Sequence, residues 1–324
     1  MKGEYSIEVY NKRVKYKLNV KRNITILTGD SGIGKTTLVK LIDSFYNNGK
    51  QSGITLECEK ICIYLHGKDW YEHLQNIKDS IVFIDEDSNF IRSDEFARAI
   101  MSTDNYYVLI TRADLAGLPY SIKEIYTLKV NKSKSEASQV YNEQCLLYGE
   151  NLTNSGVYPD KIITEDSNSG HDFFKEICKD FNKVCIPANG KSNIKNIINN
   201  SNSEEKILII ADGAAFGCEM KKCMQALREH GNTTIYLPES FEWLLLKAGT
   251  VKNNELNNIL ENPSEYIDSV EYFSWERYFT SKISEICLDM PNKVTYTKSR
   301  LHSFFLSKYN KELMLKLLDF INFK

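Results

Sequence analysis

Residues 29–36 read Gly29-Asp30-Ser31-Gly32-Ile33-Gly34-Lys35-Thr36, which fits the spacing Gly, four residues, Gly-Lys-Thr. The run before it, 23–28, is short, apolar and rich in β-branched residues, as expected for a buried strand. The run after it, 37–42, places apolar residues at helical spacing. The sequence therefore predicts a strand, a glycine-rich loop and a helix in that order.

A loop of this kind is suited to holding phosphate groups. Its glycines let the backbone curl so that N–H groups point at phosphate oxygens, and the helix N-terminus adds a partial positive charge. Lys35 would reach the β- and γ-phosphates, and the Thr36 hydroxyl would be a ligand of Mg²⁺. We therefore expect ATP and Mg²⁺ as cofactors; the alternative is an ordinary glycine turn before a helix. The predicted nucleotide-binding residues are Gly29, Asp30, Ser31, Gly32, Ile33, Gly34, Lys35, Thr36 and Thr37.

A second motif, residues 80–86, is an apolar run that ends in Asp85 and Glu86. This pattern is typical of a parallel strand that is buried on both faces and carries carboxylates at its C-terminal end. Asp85 would hold Mg²⁺ through water, opposite Thr36, and Glu86 would orient or deprotonate an attacking water. The pattern favours nucleotide hydrolysis over simple binding; the alternative is a strand that merely ends in acids.

A further buried strand is predicted over 106–112, with Thr111 and Arg112 at its polar end. Either residue can sense the γ-phosphate, and Arg112 is our candidate for a catalytic role beside Lys35 and Glu86. Arg112 can equally pair with a neighbouring carboxylate, and the sequence leaves both options open. Residues 125–130 are predicted to close the sheet.

These motifs, over about residues 3–131, resemble the additional-strand, catalytic-glutamate class of P-loop ATPases. A predicted hairpin of residues 5–10 and 13–21 precedes them, so the segment looks most like a reduced ABC-type domain. The resemblance implies ATP hydrolysis on a strand order in which a sensor strand lies between the strands of the two motifs. The interval from Gly34 to Asp85 has no Ser-Gly-Gly signature, so the resemblance does not extend to ABC-style dimerisation.

The second half of the chain alternates strand-like and helical runs, which predicts a second parallel α/β sheet. Its four predicted strands are 161–164, 183–186, 206–210 and 233–237. Acidic side chains follow three of them: Glu165, Asp212, and the pair Glu239 and Glu242. Ligands bind at this edge of an open α/β sheet, and convergent carboxylates suit Mg²⁺ or Mn²⁺.

This half resembles a Toprim domain over about residues 160–245. Glu165 matches the Toprim glutamate, and Asp212 and Gly217 match the first Asp and the Gly of its Asp-x-Asp-x-x-Gly motif. The second Asp is replaced by Ala214, and Asp166 stands where a Gly usually follows the glutamate. The resemblance implies a second metal site at Glu165 and Asp212, and an order of domains similar to that of the OLD-family nucleases.

Two functions follow from these resemblances. In the first, an ATP-hydrolysing protein uses a degenerate Toprim-like domain to bind a partner protein or nucleic acid, in phage defence or a mobile element. In the second, it is an ATP-gated, metal-dependent nuclease of the OLD type. The predicted division of the chain is a P-loop ATPase domain at 1–131, a linker at 132–158, a Toprim-like domain at 159–247 and a helical segment at 248–324.

The amino-acid composition limits the kinds of partner that we expect this protein to bind. The net charge of −2 predicts no general affinity for nucleic acid, so any such contact needs a local patch. Residues 291–324 carry seven Lys or Arg against two acids, and suit either nucleic-acid contact or amphipathic helices. Eight cysteines without a disulfide pattern, no signal peptide and no membrane-spanning run predict a cytoplasmic protein that does not contact membranes, with homo-oligomers left open.

Overall fold

A computed structural model describes residues 1–132, 134, 139–148, 156–202, 204–291 and 294–323. The chain divides into two compact units. The first unit comprises Met1–Tyr148 and Ser264–Phe273, and the second comprises Gly149–Pro263 and Ser274–Lys324. Both are α/β, as the sequence predicts. No helix in the described part of the chain is long and apolar enough to cross a bilayer.

The described residues of the first unit form a mixed sheet of nine strands, in the order β4-β1-β2-β9-β8-β3-β7-β6-β5. Its strands are β1 (Tyr5–Tyr10), β2 (Val14–Val20), β3 (Ile24–Thr28), β4 (Thr55–Glu57), β5 (Ile61–Tyr64), β6 (Ser80–Ile84), β7 (Asn105–Ile110), β8 (Ile125–Val130) and β9 (Val140–Leu146). Its helices are α1 (Lys35–Asn48), α2 (Trp70–Asn76) and α3 (Asp94–Ile100). The predicted hairpin is confirmed, because β1 and β2 pair antiparallel.

Five strands, β8, β3, β7, β6 and β5, run parallel to one another. Every residue of β6 and β7 is buried, since these apolar runs are covered on both faces of the sheet. Helix α1 packs the buried residues Leu38, Val39 and Ile42 into the same apolar cluster as Ile81 and Phe83 of β6. Strand β7 lies between β3 and β6, which brings the ends of these three strands to one edge of the sheet.

Two predictions about this sheet are wrong. Strand β8 does not close it, because β8 pairs with β3 on one side and with β9 on the other. Strand β9 lies inside the stretch predicted as a linker, 132–158. Its sequence, Val-Tyr-Asn-Glu-Gln-Cys-Leu, is polar and only partly buried, so its composition resembles a linker although its backbone is paired on both sides.

In the second unit, the described residues form a four-stranded sheet in the order β11-β10-β12-β13, with every pair parallel. Its strands are β10 (Lys161–Thr164), β11 (Val184–Pro187), β12 (Ile207–Ile210) and β13 (Thr233–Tyr236). Helices α4 (Ser169–Asp180), α5 (Lys191–Asn199) and α6 (Gly217–Glu229) connect them. This confirms the predicted parallel α/β sheet, whose strands alternate with helices because each crossover must return the chain to the same edge.

The segment after residue 247 is less uniform than predicted. The remaining helices are α7 (Phe241–Lys247), α8 (Leu256–Glu261), α9 (Pro263–Tyr266), α10 (Trp275–Leu288) and α11 (Lys308–Leu317). The predicted helical segment is interrupted before α11, which starts only after Ser307, whose hydroxyl accepts a hydrogen bond from Asn310 N–H as an N-cap. Ser264–Phe273 belongs to the first unit, so 248–324 is not one segment.

Candidate functional site

The glycine-rich loop between β3 and α1 depends on glycine at two positions. Gly29 and Gly34 have φ angles of 128° and 94°, a region that side chains rarely enter. A Cβ on Gly34 would lie 2.7 Å from Tyr16 Oη, and one on Gly29 would lie 2.7 Å from Thr127 Oγ1. The curl of the loop and its close contact with β2 and β8 therefore both require residues without a side chain.

Lys35 lies inside this curl. Its ammonium donates hydrogen bonds to the backbone carbonyls of Gly29, at 2.7 Å, and Asp30, at 2.9 Å. The residue is only 6% exposed. Burial lowers the pKa of Lys35, and the negative charges of Glu86 and Asp85 oppose this effect. The two hydrogen-bond partners are neutral, so an anion held by the loop would give this buried cation a charged partner.

Helix α1 begins directly after the loop, and the Gly34 N-cap supplies no side-chain hydrogen bond. Its first turn contains no acidic residue, and both Thr36 and Thr37 are exposed there. The first N–H groups of a helix have no intrahelical partner and carry partial positive charge. The loop therefore presents a helix N-terminus, a buried ammonium and the Thr36 hydroxyl together, which is the donor set expected for a phosphate chain and its Mg²⁺.

Tyr16 was not identified as a site residue from the sequence. Its hydroxyl donates a hydrogen bond of 2.9 Å to the carbonyl of Gly34, and its ring is buried. Tyr16 lies on the apolar face of β2, a pattern that predicts a core residue and nothing about the loop. Its effect is to fix the last turn of the loop against the sheet.

Asp85 follows β6 at the same edge of the sheet. Its carboxyl is 3% exposed, and one oxygen accepts a hydrogen bond of 2.7 Å from Glu86 N–H. Burial raises the pKa of Asp85. A carboxylate held this way, with one oxygen anchored to the backbone, is a suitable indirect ligand for a divalent cation.

Glu86 and Arg112 form a two-point ion pair. Arg112 Nη2 donates to Glu86 Oε1 at 2.8 Å, and Nε donates to Oε2 at 3.1 Å. The hydrogen bond from Arg112 lowers the pKa of Glu86. The structure thus shows the carboxylate pairing that the sequence left open for Arg112; its role as a sensor stays a prediction. Thr111 is buried, and its hydroxyl oxygen accepts a hydrogen bond from Ala113 N–H.

The second unit contains an acidic pocket, lined in part by Glu165, Asp212, Glu242 and Lys298. Glu165 follows β10 and Asp212 follows β12, so the predicted pair lies at one edge of the sheet. Asp212 N–H donates to Glu165 Oε2 at 3.0 Å. Phe241 N–H in turn donates to Asp212 Oδ1 at 3.1 Å, which ties the start of α7 to the pocket.

Burial shifts the pKa values of the carboxyl groups in this pocket. It raises the pKa of Glu165, although the charge of Lys191 acts in the opposite direction. Burial, together with the charges of Glu276 and Glu242, raises the pKa of Asp212 well above its ordinary value. These shifts show that negative charge in the pocket is poorly compensated.

Three other acidic residues of the second unit, Asp166, Asp172 and Glu219, supply no further free carboxylate to the pocket. Asp172 and Glu219 do not line the pocket: Asp172 accepts a hydrogen bond from Leu301 N–H, and Glu219 pairs with Lys222. Asp166 lines the pocket, but its carboxyl accepts hydrogen bonds from Asn168. Ala214 is buried. Within the described residues, no group of three or more His, Cys, Asp or Glu has the arrangement of a metal site.

Two other predicted residues have defined positions. His171 lies in the first turn of α4, is buried, and has its Nδ1 2.9 Å from Thr164 Oγ1. Glu239 follows β13 and is buried, and its backbone carbonyl accepts a hydrogen bond from Ala214 N–H.

Comparison with known proteins adds no assignment: no protein-family model matches the chain, and no curated protein matches it either. The functional argument therefore depends on the geometry of the loop and the pocket.

Proposed function

We propose that the first unit binds and hydrolyses ATP with Mg²⁺, and that the second unit is a Toprim-like module that binds a partner protein or nucleic acid. The observation that carries the first part is the position of Lys35. A buried ammonium, enclosed by a curled glycine backbone at the start of a 14-residue helix, is a site built for a chain of phosphates.

In this proposal the loop N–H groups and Lys35 bind the phosphates, while Thr36 and Asp85 hold Mg²⁺. The metal supplies neutralisation of the charge that develops on the phosphate oxygens. Exchange of the Gly29 and Asp30 carbonyls for phosphate oxygens would give the Lys35 ammonium negatively charged hydrogen-bond partners in place of neutral ones.

Glu86 is the proposed group that orients the attacking water and accepts its proton. Both of its oxygens are engaged by Arg112, so this ion pair must open before Glu86 can act. The side chains of Arg112 and Glu86 are 51% and 31% exposed, and an ion pair exposed to this extent is weak because water screens it. A triphosphate beside Arg112 offers a stronger anionic partner, which frees Glu86 when substrate is present.

For the second unit, two observations favour binding over nuclease chemistry. Ala214 supplies no ligand where the Toprim motif has its second aspartate, and Lys298 lines the pocket that contains Glu165 and Asp212. The competing function, a metal-dependent nuclease, predicts plasmid cutting with Mn²⁺ and ATP that Glu165→Gln abolishes. Our proposal predicts no cutting while ATP hydrolysis continues.

The test of the ATPase uses Lys35→Ala and Glu86→Gln, with Lys40→Ala as the matched control on the exposed face of the same helix. Binding is followed with a fluorescent ATP analogue, and hydrolysis by phosphate release. We expect Lys35→Ala to lose binding, Glu86→Gln to keep binding and lose at least about 100-fold in turnover, and the control to retain both. Turnover that survives Glu86→Gln would show that another group activates the water.

A further inference from the structure

The acidic pocket of the second unit is lined by Glu165, Asp212 and Glu242, and Glu276 forms an ion pair with Lys298, which also lines it. Glu165 and Asp212 follow two neighbouring strands, Glu242 lies in the first turn of α7, and Glu276 lies in the first turn of α10. Their charges act on one another, since Glu242, Glu276 and Glu165 each act to raise the pKa of Asp212. Carboxylate oxygens are the ligands that a hard divalent cation prefers.

Of these groups, Glu242 has the least complete hydrogen bonding. The residue is 1% exposed, and Tyr296 donates a hydrogen bond of 2.6 Å to its Oε1. Its Oε2 is buried and has no hydrogen-bond partner among the described residues. An unpaired buried carboxylate oxygen is costly, so its presence at the pocket indicates that a positive charge belongs nearby.

The chain itself supplies a positive charge through Lys298. The ammonium of Lys298 forms an ion pair with Glu276. Burial acts to lower the pKa of Lys298, but Glu242, Glu276 and Asp212 raise it overall. Lys298 is therefore a charged lysine that pairs with Glu276 and lines the pocket that contains Asp212 and Glu242.

The position of Lys298 is set by its backbone. Ser169 N–H donates a hydrogen bond of 2.8 Å to the Lys298 carbonyl. Two residues earlier, Tyr296 is held by Glu242 and by the hydroxyl of Ser169, which lies 2.9 Å from Tyr296 Oη. These contacts fix the backbone at Tyr296 and at Lys298, and the Lys298 ammonium is held by its ion pair with Glu276.

We propose that Lys298 is the resident cation of the acidic pocket, in the place that a divalent metal would otherwise take beside Asp212 and Glu242. The pocket then works without a metal, and loss of the Lys298 ammonium turns it into a divalent-cation site. An ammonium and a divalent cation inside one pocket repel each other strongly, so the pocket does not hold both. The proposal concerns the second unit and does not depend on ATP hydrolysis.

The test measures Mn²⁺ binding without nucleotide, by calorimetry and by the loss of the free Mn²⁺ paramagnetic resonance signal. Every protein carries Asp85→Asn, which removes the one predicted metal-binding carboxylate of the first unit. Lys298→Met keeps the apolar stem and removes the charge, and Lys298→Arg keeps the charge. Lys179→Met is the matched control, because Lys179 also pairs with a single glutamate, on the exposed side of α4.

We expect the parent, Lys298→Arg and Lys179→Met proteins to bind Mn²⁺ weakly and alike. Lys298→Met should bind one ion at least about tenfold more tightly, because one repelling charge is gone. Adding Asp212→Asn to Lys298→Met should remove this gain. Lys298→Gln provides a second neutral variant, and circular dichroism establishes that each variant is folded.

Two results would overturn the proposal. The first is tight Mn²⁺ binding by the parent protein that Asp212→Asn abolishes, because the pocket would then hold a metal beside Lys298. The second is a folded Lys298→Met or Lys298→Gln protein whose Mn²⁺ affinity equals that of the parent, because Lys298 would then not occupy the cation position.

Discussion

The backbone of Gly34 combines a left-handed φ of 94° with a close approach to Tyr16 Oη. Gly32, two residues earlier, also has a left-handed φ, of 86°, but an added Cβ would find nothing within 4 Å. A substitution at Gly32 would therefore introduce backbone strain alone, whereas one at Gly34 would introduce the same strain and a steric clash.

We predict that Gly34→Ala impairs the protein more than Gly32→Ala does. The left-handed conformation alone costs about 1–2 kcal/mol for a residue with a Cβ. Gly34→Ala must in addition displace Tyr16 and lose its hydrogen bond to the loop. Denaturant unfolding and titration with an ATP analogue measure the two effects; equal losses in both variants would mean that the Tyr16 contact is unimportant.

The Glu86–Arg112 pair gives a prediction about pH. Arg112 lowers the pKa of Glu86 in the folded protein, whereas the unfolded chain should show the ordinary value of about 4.3. The folded state therefore binds fewer protons, so the stabilisation by the pair is fully present above about pH 4.3. It is lost as the pH falls through the lower, folded pKa.

We expect Arg112→Gln to raise the pKa of Glu86 towards its ordinary value and to remove this acid-range dependence. The carbon-13 chemical shift of the Glu86 carboxyl, followed from pH 2 to 7, reports the pKa directly. Lys123→Gln, a lysine of the same unit that lies away from the loop in sequence, is the control. An unchanged titration curve in Arg112→Gln would mean that the ion pair does not persist in solution.

Individual site residues differ in how far the sequence reveals them. Lys35, Asp85 and Glu86 were identified because each lies in a short contiguous motif. The sequence left Arg112 either to sense a phosphate or to pair with a carboxylate, and in the structure it pairs with Glu86. Tyr16, Glu276 and Lys298 were missed, since each meets its partners only through the folded chain. Lys298, for example, is 133 residues from Glu165, and no local pattern links them.

At the level of secondary structure, apolar runs were sufficient to find the buried strands. Strands β6 and β7 were predicted within two residues, because continuous apolar sequence has few alternatives to a doubly covered parallel strand. Strand β9 was missed because it is polar, and its place in the sheet comes from backbone hydrogen bonds to neighbours on both sides.

We predict that Asn142→Pro strongly destabilises the first unit. Asn142 pairs with Tyr16 of β2 and Val130 of β8, so a proline there loses a ladder hydrogen bond whichever neighbour its N–H faces. The expected loss is about 1–3 kcal/mol in the free energy of unfolding, because the partner carbonyl is left without its hydrogen bond. Asn142→Ser, which keeps the N–H, is the control, and a proline tolerated at this position would mean that the segment is a linker after all.

On the scale of the whole molecule, the first unit is discontinuous in sequence. Residues Ser264–Phe273 complete it, through hydrogen bonds such as Gly3 N–H to the Ser264 carbonyl and Asn23 Nδ2 to the Ser269 carbonyl. Ile267, in the same segment, is 2% exposed. The sequence did not reveal that the chain returns to the first unit at Ser264–Phe273, because a ten-residue segment inside a helix-rich region has no distinctive pattern.

We expect Ile267→Ala to destabilise the first unit by about 2–5 kcal/mol, since it leaves a cavity at a buried site. Hydrogen exchange followed by mass spectrometry should show faster exchange in β1, β3 and β7, and unchanged exchange in β10 to β13. Val270→Ala, at an exposed position of the same segment, should change neither. Faster exchange in the second sheet alone would contradict the assignment of the segment to the first unit.

The returning segment also affects the order in which the protein is made. Synthesis proceeds from the N-terminus, and domains generally fold as they emerge from the ribosome. Nine strands of the first unit are translated by residue 146, yet the segment that completes this unit is translated only after all four strands of the second sheet. A ribosome that has translated only as far as β9 therefore holds an unfinished first unit, and newly made chains complete this unit only after the second sheet has been synthesised.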